Sequence, residues 1–464
     1  MPIVDLLVIG GGIHGACVAR DAALRGLSVT LVEKDDLASG TSSRSSKLIH
    51  GGLRYLETGQ FGLVHEALRE REILLRTAPT LVRPLDFVLP FYEGDERPPW
   101  MLQTGLTLYD VLAGRGHASH VVHERDALLA AFPAVPRDGL KGGAWFADAQ
   151  IDDALLVVAN AMDAVQSGAT IRTDTEVTAL SEGRAQLSTG DTIEARVIVN
   201  AAGPWVDLVR SLGAGTPSPS LRLTRGTHVV VPSLTRDFAL LLFAQEDGRV
   251  FFVLPWGTCS LVGTTDTDDD ADPDRVAPAA DDVRYLWSEI ARRWPHLDPA
   301  ASTLRVFAGV RPLARSDRDR PWHNSREARL LVEGGMISLV GGKYTTARRL
   351  AERAVDLVVR KLDRRVGHCV TATSVLPALD ANAPVSAASV AHAVDEQFTG
   401  HVADFVFRRS SLWLDAADAR RAAPLVADWM APKLGWSAAV RQAEVDVVLA
   451  QLDAEERILE EARA

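Results

Sequence analysis

A chain of 464 residues with 47% hydrophobic and 24% charged residues is too long for one ordinary core and too apolar to be disordered, so two or three globular domains are expected. Its formal net charge of −11 argues against nucleic acid, whose phosphates demand clustered Lys and Arg. Three scattered cysteines, Cys17, Cys259 and Cys369, form no CxxC pair; neither a disulfide framework nor a metal site is expected, and a reducing cytosol fits.

The opening "MPIVDLLVIGGG" has an acid at Asp5 and no basic region before its apolar run, unlike a secretory signal. No apolar run reaches the roughly 18 residues of a spanning helix. Asp5–Ile9 reads as a short strand, and the following stretch has helical periodicity at Ile13, Cys17, Ala23 and Leu24. Between them Gly10, Gly12 and Gly15 satisfy G-x-G-x-x-G, with glycines for the turn, for close approach of a pyrophosphate and for helix packing. A second strand, "SVTLVE", ends at Glu33, where an acid is expected to grip a ribose hydroxyl. The unit binds a dinucleotide, NAD or FAD.

Next comes "ASGTSSRSSKLIHGGLRYL", Ala38 to Leu56, too polar for core and too particular for a linker. It reads as a binding segment. Further on, "RPPWMLQTGLTLYDVLAGRG" sets Trp100, Met101, Leu102, Leu106, Leu108, Tyr109 and Leu112 between Arg97 and Arg115. That is either a short interfacial helix or one docked on its own domain.

"ARVIVNAAGPWV" is a strand over Val197–Val199 closing on Ala201, Ala202 and Gly203, and "MISLVGGKYTTARRLAERAV" a strand running through Gly341 and Gly342 into a helix. Two returns to the same dinucleotide favour FAD, and the second would aim helix N-terminal amides at the flavin's pyrimidine edge. Between them "THVVVPSL", "FALLLFAQ", "RVFFVLPWG" and "CSLVGTTD" have the pattern of an antiparallel meander able to roof the flavin. After a loose "PALDANAPVSAAS", the tail from about Val390 reads as helices, with "VADFVFRRSSLWL" and "VRQAEVDVVLAQL" amphipathic.

Taken together, "DLLVIGGGIHGA", "GTSSRSSKLIHGGLRYLE", "EREILL", "NAAGPWVD", "GTHVVVP", "VGTTDTD", "GVRPL" and "GGKYTT" resemble the FAD-dependent glycerol-3-phosphate dehydrogenases and their oxidase relatives. The "SSKLIHGGLRYL" string is the most specific. The resemblance implies an α/β fold: a Rossmann-like FAD-binding domain over 1–75, 150–205 and 305–375, an antiparallel β-rich substrate domain over 76–149 and 206–304, as in glycine and D-amino-acid oxidases, and a C-terminal helical cap over 385–464.

In that family the opening segment lies along the FAD. Thr41, Ser42, Ser43 and Ser46 would supply donors to phosphate or ribitol oxygens, with a capped surface loop as the bland alternative. Leu48 and His50 would adjoin the flavin, as would Ala202, Gly203 and Trp205 at one return and Gly342, Lys343 and Thr345 at the other. Oxidising a secondary alcohol requires a base for its hydroxyl proton, and His50 is suited to that role or, in a lesser one, to hydrogen-bonding the flavin. His228 is a weaker candidate. For a substrate phosphate, arginine offers a bidentate fork: Arg311 first, then Arg326, and Arg54 with Tyr55, although Arg54 could instead pair with Glu57. Lys343 would stabilise reduced flavin or bind a substrate oxygen, and Thr264 would bind substrate hydroxyls.

The implied reaction takes sn-glycerol 3-phosphate to dihydroxyacetone phosphate, with hydride passing from C2 to flavin N5. Only Ala314 to Asn324 separate "RPL" from Ser325-Arg326; lacking the oxidase branch's long insertion there, the chain favours membrane quinone over oxygen as acceptor. A peripheral position on the inner face of the cell membrane follows, and a homodimer is compatible with it. The competing readings are a glycerol-3-phosphate oxidase, an amine or amino-acid oxidase on the same fold, and a protein that binds FAD without turnover.

Overall fold

The computed structural model describes residues 3–114, 118–213, 217–269, 272–315, 328–380 and 382–464; the expected site residue Arg326 and the helix-end Arg115 lie outside them. One eight-stranded sheet has the order Arg329–Glu333, Met336–Val340, Thr192–Asn200, Val4–Ile9, Val29–Val32, Thr170–Arg172 along its main path. All these neighbours are parallel except the first pair, a hairpin. Leu6, Leu7 and Val8 are fully buried, as a strand covered on both faces requires. Helices Ile13–Leu24, Asp153–Gln166 and Ala347–Leu362 pack together over one face. Ile9 pairs with both Val32 and Asn200, so the turns after three parallel strands emerge side by side at the edge where such sheets bind ligands.

The second, ten-stranded sheet runs Thr267–Asp268, Leu221–Pro232, Cys259–Gly263, Val250–Trp256, Phe238–Phe243, Val82–Tyr92, Leu140–Ile151, Leu48–Ile49. The expected meander is present over Phe238–Gly263 as successive antiparallel pairs. Two features differ from the sequence reading. Phe238–Phe243 joins Val82–Tyr92 in parallel, and Arg305–Ala314, expected with the flavin-binding portion, instead pairs along Leu221–Pro232 from Leu221↔Ala314 to Val230↔Arg305. Alternation cannot reveal which distant strand becomes a neighbour, whereas a hairpin declares its own.

Helix Pro99–Ala113 docks by Leu102, Leu106 and Tyr109, which are buried, while Trp100 and Val111 are each 70% exposed and Met101 is also exposed. It therefore has both a docked face and a bare apolar edge. No helix among the described residues is long and apolar enough to cross a membrane.

The C-terminal region is helical over Ala387–Glu396, Ala416–Leu434 and Ala438–Arg463. "VADFVFRRSSLWL", expected as one amphipathic helix, is instead a single turn at Val402–Asp404, a π-helical turn at Phe405–Arg409 and a 3₁₀ turn at Ser411–Leu414. Adjacent residues of a regular helix do not share a face; the widened turn lets both Arg408 and Arg409 reach one buried carboxylate, Asp36.

His401 ties this cap to the first sheet, its Nε2 lying 3.2 Å from Asp174 and its Nδ1 2.9 Å from Glu444. The Asp174 carboxylate foremost, then Glu444, raises its pKa from 6.5 to about 10. A raised folded-state pKa gives stabilisation that is fully present below the unfolded value and is lost as pH rises through the folded one. Wild type should therefore lose more thermal stability between those two values than His401→Ala does; parallel melting curves across that window would remove the role. The pair is half-exposed, so the effect is small.

Candidate active site

The junction between Val4–Ile9 and helix Ile13–Leu24 needs bare backbone. A Cβ on Gly15 would fall 1.9 Å from the Gly10 carbonyl oxygen, and one on Gly10, with φ of +106°, 2.8 Å from that of Ala201. Glu33 closes the turn: its carboxylate accepts the N–H of Gly11 at 2.5 Å and of Asp35 at 3.0 Å. Burial pushes its pKa up to about 7.

Around this junction lies a cleft of about 530 Å³. Gly10, Gly12, Glu33, Thr41, Ser42, Ser46, Leu48 and His50 line it, as do Ala202, Gly203 and Trp205 from the second turn and Gly342, Lys343 and Thr345 from the third. Arg311 and His228 line it from the second sheet. Of the other expected residues, Ser43, Arg54, Tyr55 and Thr264 lie outside the lining. Gly15 stands behind it, where its packing role puts it. Glu57, weighed as a partner for Arg54, pairs with Arg97 at 2.7 Å.

The hydroxyls of the binding segment are partly committed to the protein. Thr41, expected as a cofactor donor, gives its proton to the Val310 carbonyl at 2.6 Å. Ser42 Oγ accepts the N–H of Ile13 at 3.0 Å, keeping its own O–H to offer. Ser43 contributes a carbonyl that accepts from Lys47 Nζ at 3.2 Å. Lys47 is buried against Asp153 at 2.5 Å, with its ammonium 4.3 Å from the Trp413 ring centroid. The segment is thereby clamped between a helix of the first sheet and the cap.

At the far end His50, Lys343 and Arg311 share the cleft. Lys343 Nζ donates to the His50 carbonyl at 2.6 Å, and the His50 ring stands edge-on to Phe252 at 6.2 Å. The Arg311 guanidinium donates through Nη2 to Thr264 Oγ1 at 2.8 Å, and through Nη1 to the Thr265 carbonyl at 3.1 Å and Asp266 at 3.2 Å. His228 holds Ser46 Oγ at 3.0 Å and stacks on Phe307. Burial, then the charges of Arg311 and Lys47, drops its pKa to about 3, so it stays neutral as a pocket wall.

Whether a dinucleotide suits this cleft can be judged from polar atoms the protein leaves over. His14 Nε2 and His228 Nδ1 are buried without a hydrogen-bond partner, and His14 lines the cleft against Gly342. Burial lowers the His14 pKa to about 4, so it presents a neutral imidazole. With helix N-terminal amides at one end and Lys343 at the other, these groups fit an anionic dinucleotide carrying a polar ring system. His14 and the lining residue Arg44 escaped the sequence reading, though both lie inside the motifs quoted for it. Asp274 escaped it too: its carboxylate accepts from Lys34 and, at 3.0 Å, from Trp205 Nε1, strapping the second sheet's connection across the cleft.

The family model for FAD dependent oxidoreductases matches residues 5–348, and that for the C-terminal domain of alpha-glycerophosphate oxidase matches 365–441. The chain is 39% identical over 407 residues to a glycerol-3-phosphate dehydrogenase of Synechocystis sp., covering 81% of this chain and 74% of the relative. It is 42% identical over 369 residues to a D-erythritol 1-phosphate dehydrogenase of Brucella abortus, covering 76% and 72%. Among solved structures, a glycerol-3-phosphate dehydrogenase from Bacillus halodurans complexed with FAD superposes with a TM-score of 0.78 at 26% identity, covering 98% of this chain and 95% of that one.

Proposed function

The chain belongs to the FAD-dependent oxidoreductase family, with FAD as its cofactor, and within it we propose oxidation of sn-glycerol 3-phosphate to dihydroxyacetone phosphate. The observation that carries this reading is the meeting of His50, Lys343 and Arg311 in one cleft with the dinucleotide motif. FAD supplies the hydride acceptor. His50 takes the proton of the C2 hydroxyl, Arg311 holds the phosphate, and Lys343 stabilises the negative charge that develops as the alcohol is oxidised. Thr264, outside the lining itself, positions the Arg311 fork through its hydroxyl at 2.8 Å.

Membrane quinone is the proposed acceptor, supported by the exposed Trp100, Met101 and Val111 of helix Pro99–Ala113, which suit a peripheral position on a lipid surface. An anaerobic absorption spectrum before and after sn-glycerol 3-phosphate tests the substrate; readmitting air, then a soluble quinone, tests the acceptor. Bleaching followed by fast recovery with quinone alone is expected. Absence of bleaching would overturn the substrate, and fast recovery in air would make the enzyme an oxidase. A longer polyol phosphate is the second reading, favoured by the likeness to the D-erythritol 1-phosphate dehydrogenase. Faster bleaching by D-erythritol 1-phosphate would select it.

The strap gives a separate expectation. Asp274→Ala removes both hydrogen bonds that close the cleft and should speed FAD release severalfold, since partly exposed pairs contribute little each. Dilution into an excess of an apoprotein that captures free FAD, followed by fluorescence, reads it; an unchanged release rate refutes the strap.

A further inference from the structure

We infer that Gly226 is a specificity-determining position, the bare slot that seats the Arg311 guanidinium and so sets this enzyme's demand for a phosphorylated alcohol. The inference rests on the proposed role of Arg311 as the phosphate clamp. Leu221–Pro232 and Arg305–Ala314 pair antiparallel with Gly226 opposite Gly309 and Thr224 opposite Arg311. Gly226 and Arg311 are then diagonal neighbours on one face, within reach of a long side chain. The guanidinium lies over Gly226 itself: a Cβ there would fall 2.2 Å from Nη2 and 2.6 Å from both Cζ and Thr264 Oγ1. No real methyl group is tolerated at such distances.

What would yield is the guanidinium. The flanking residues pin the strand, with Arg225 bound to Asp269 at 2.8 Å and Asp282 at 3.0 Å, Thr227 Oγ1 bound to Asp282 at 2.8 Å, and the Thr227 N–H bound to Thr265 Oγ1 at 3.0 Å. Gly226 does not have a positive φ, so alanine fits its backbone without strain. The displaced group is the far end of a flexible side chain, which can swing at little cost in stability. An added methyl is therefore a probe of the clamp rather than of the fold. The same slot lets the guanidinium sit close over the strand, held by Thr264 and Thr265, while it lines the cleft.

The test compares Gly226→Ala, Thr264→Ala, Arg311→Ala and the double variant Gly226→Ala/Arg311→Ala as FAD-loaded proteins. Read-outs are flavin content, and kcat and KM with sn-glycerol 3-phosphate and with unphosphorylated glycerol. Gly226→Ala is expected to keep its flavin, to raise KM for the phosphorylated substrate on the order of tenfold or more, the loss of about one charge-assisted hydrogen bond, and to leave kcat/KM for glycerol unchanged. Thr264→Ala, which adds no atoms, should raise the same KM less. In the Arg311→Ala background the Gly226 substitution should add nothing. If Arg311→Ala raises KM while Gly226→Ala and Thr264→Ala do not, the slot is overturned and the clamp stands. If the Gly226 effect persists undiminished without Arg311, it acts by another route and the slot is again overturned. If Arg311→Ala itself leaves KM unchanged, the phosphate-clamp reading fails, and the slot with it.

Discussion

His50→Ala is expected to slow reduction of the flavin by its substrate on the order of 10²–10⁴-fold, the range that a positioned acid–base group contributes, with FAD retained. Retention follows from how His50 is held. Its carbonyl accepts from Lys343 Nζ at 2.6 Å and Thr345 Oγ1 at 3.4 Å. The next amide, Gly51 N–H, donates to Tyr109 Oη at 2.8 Å, whose own proton goes to Asp148 at 2.7 Å, and Asp148 is paired with Arg71 at 2.8 Å. The backbone at His50 is thus gripped on both sides through main-chain atoms that the substitution leaves in place. Truncating the ring removes the candidate base and leaves the grip, so binding and chemistry separate. Anaerobic rapid mixing of holoenzyme with sn-glycerol 3-phosphate measures the effect. An unaltered bleaching rate would exclude His50 as base and leave it a flavin contact.

That grip also shows where the sequence was readable. Gly10, Gly12 and Gly15 are legible because their job is local: strand, turn and helix lie within one stretch of chain, and the spacing alone declares the turn. The strands from Phe238 to Gly263 are legible for the same reason, each hairpin being its own neighbour. The partner of Arg305–Ala314 is not, since it is chosen by burial of two distant strands against each other. Side-chain commitments were still less accessible. A threonine in a polar segment declares a donor but not its acceptor, and the Thr41 hydroxyl is taken by Val310 of the other sheet. Lys47, in the middle of the most specific string, is buried against Asp153 and Trp413, which no spacing announces. Gly226 opens the quoted string "GTHVVVP", but nothing in that string announces the arginine from another strand that lies over it.

Asp36 is the extreme case, an unremarked acid after the second strand that should prove the most costly to lose. Its side chain is 2% exposed and meets Arg408 and the fully buried Arg409, whose Nη1 and Nη2 lie at 3.0 and 2.6 Å. Burial would push the Asp36 carboxyl up, but the two guanidiniums hold it below the usual aspartate range. The stabilisation is therefore present above that range and fades as pH falls through the lowered value. Asp36→Asn keeps the shape and removes the charge, stranding two buried cations with Asp404 alone, which reaches only Arg408. Breaking one side of a buried pair costs roughly 3–5 kcal/mol, a large share of the roughly 5–15 kcal/mol that holds a domain. Asp36 lies just past the cleft residues Glu33 and Lys34, so the loss should undock the cap and loosen FAD together. Thermal unfolding should show a drop of several degrees that excess FAD partly restores, because ligand binding to the folded form adds back stability. Asp36→Asn with Arg409→Gln, which removes both charges, should melt higher than Asp36→Asn alone. A single variant that melts with wild type would mean that the cap is held by its apolar contacts and that the ion pair only fixes its register.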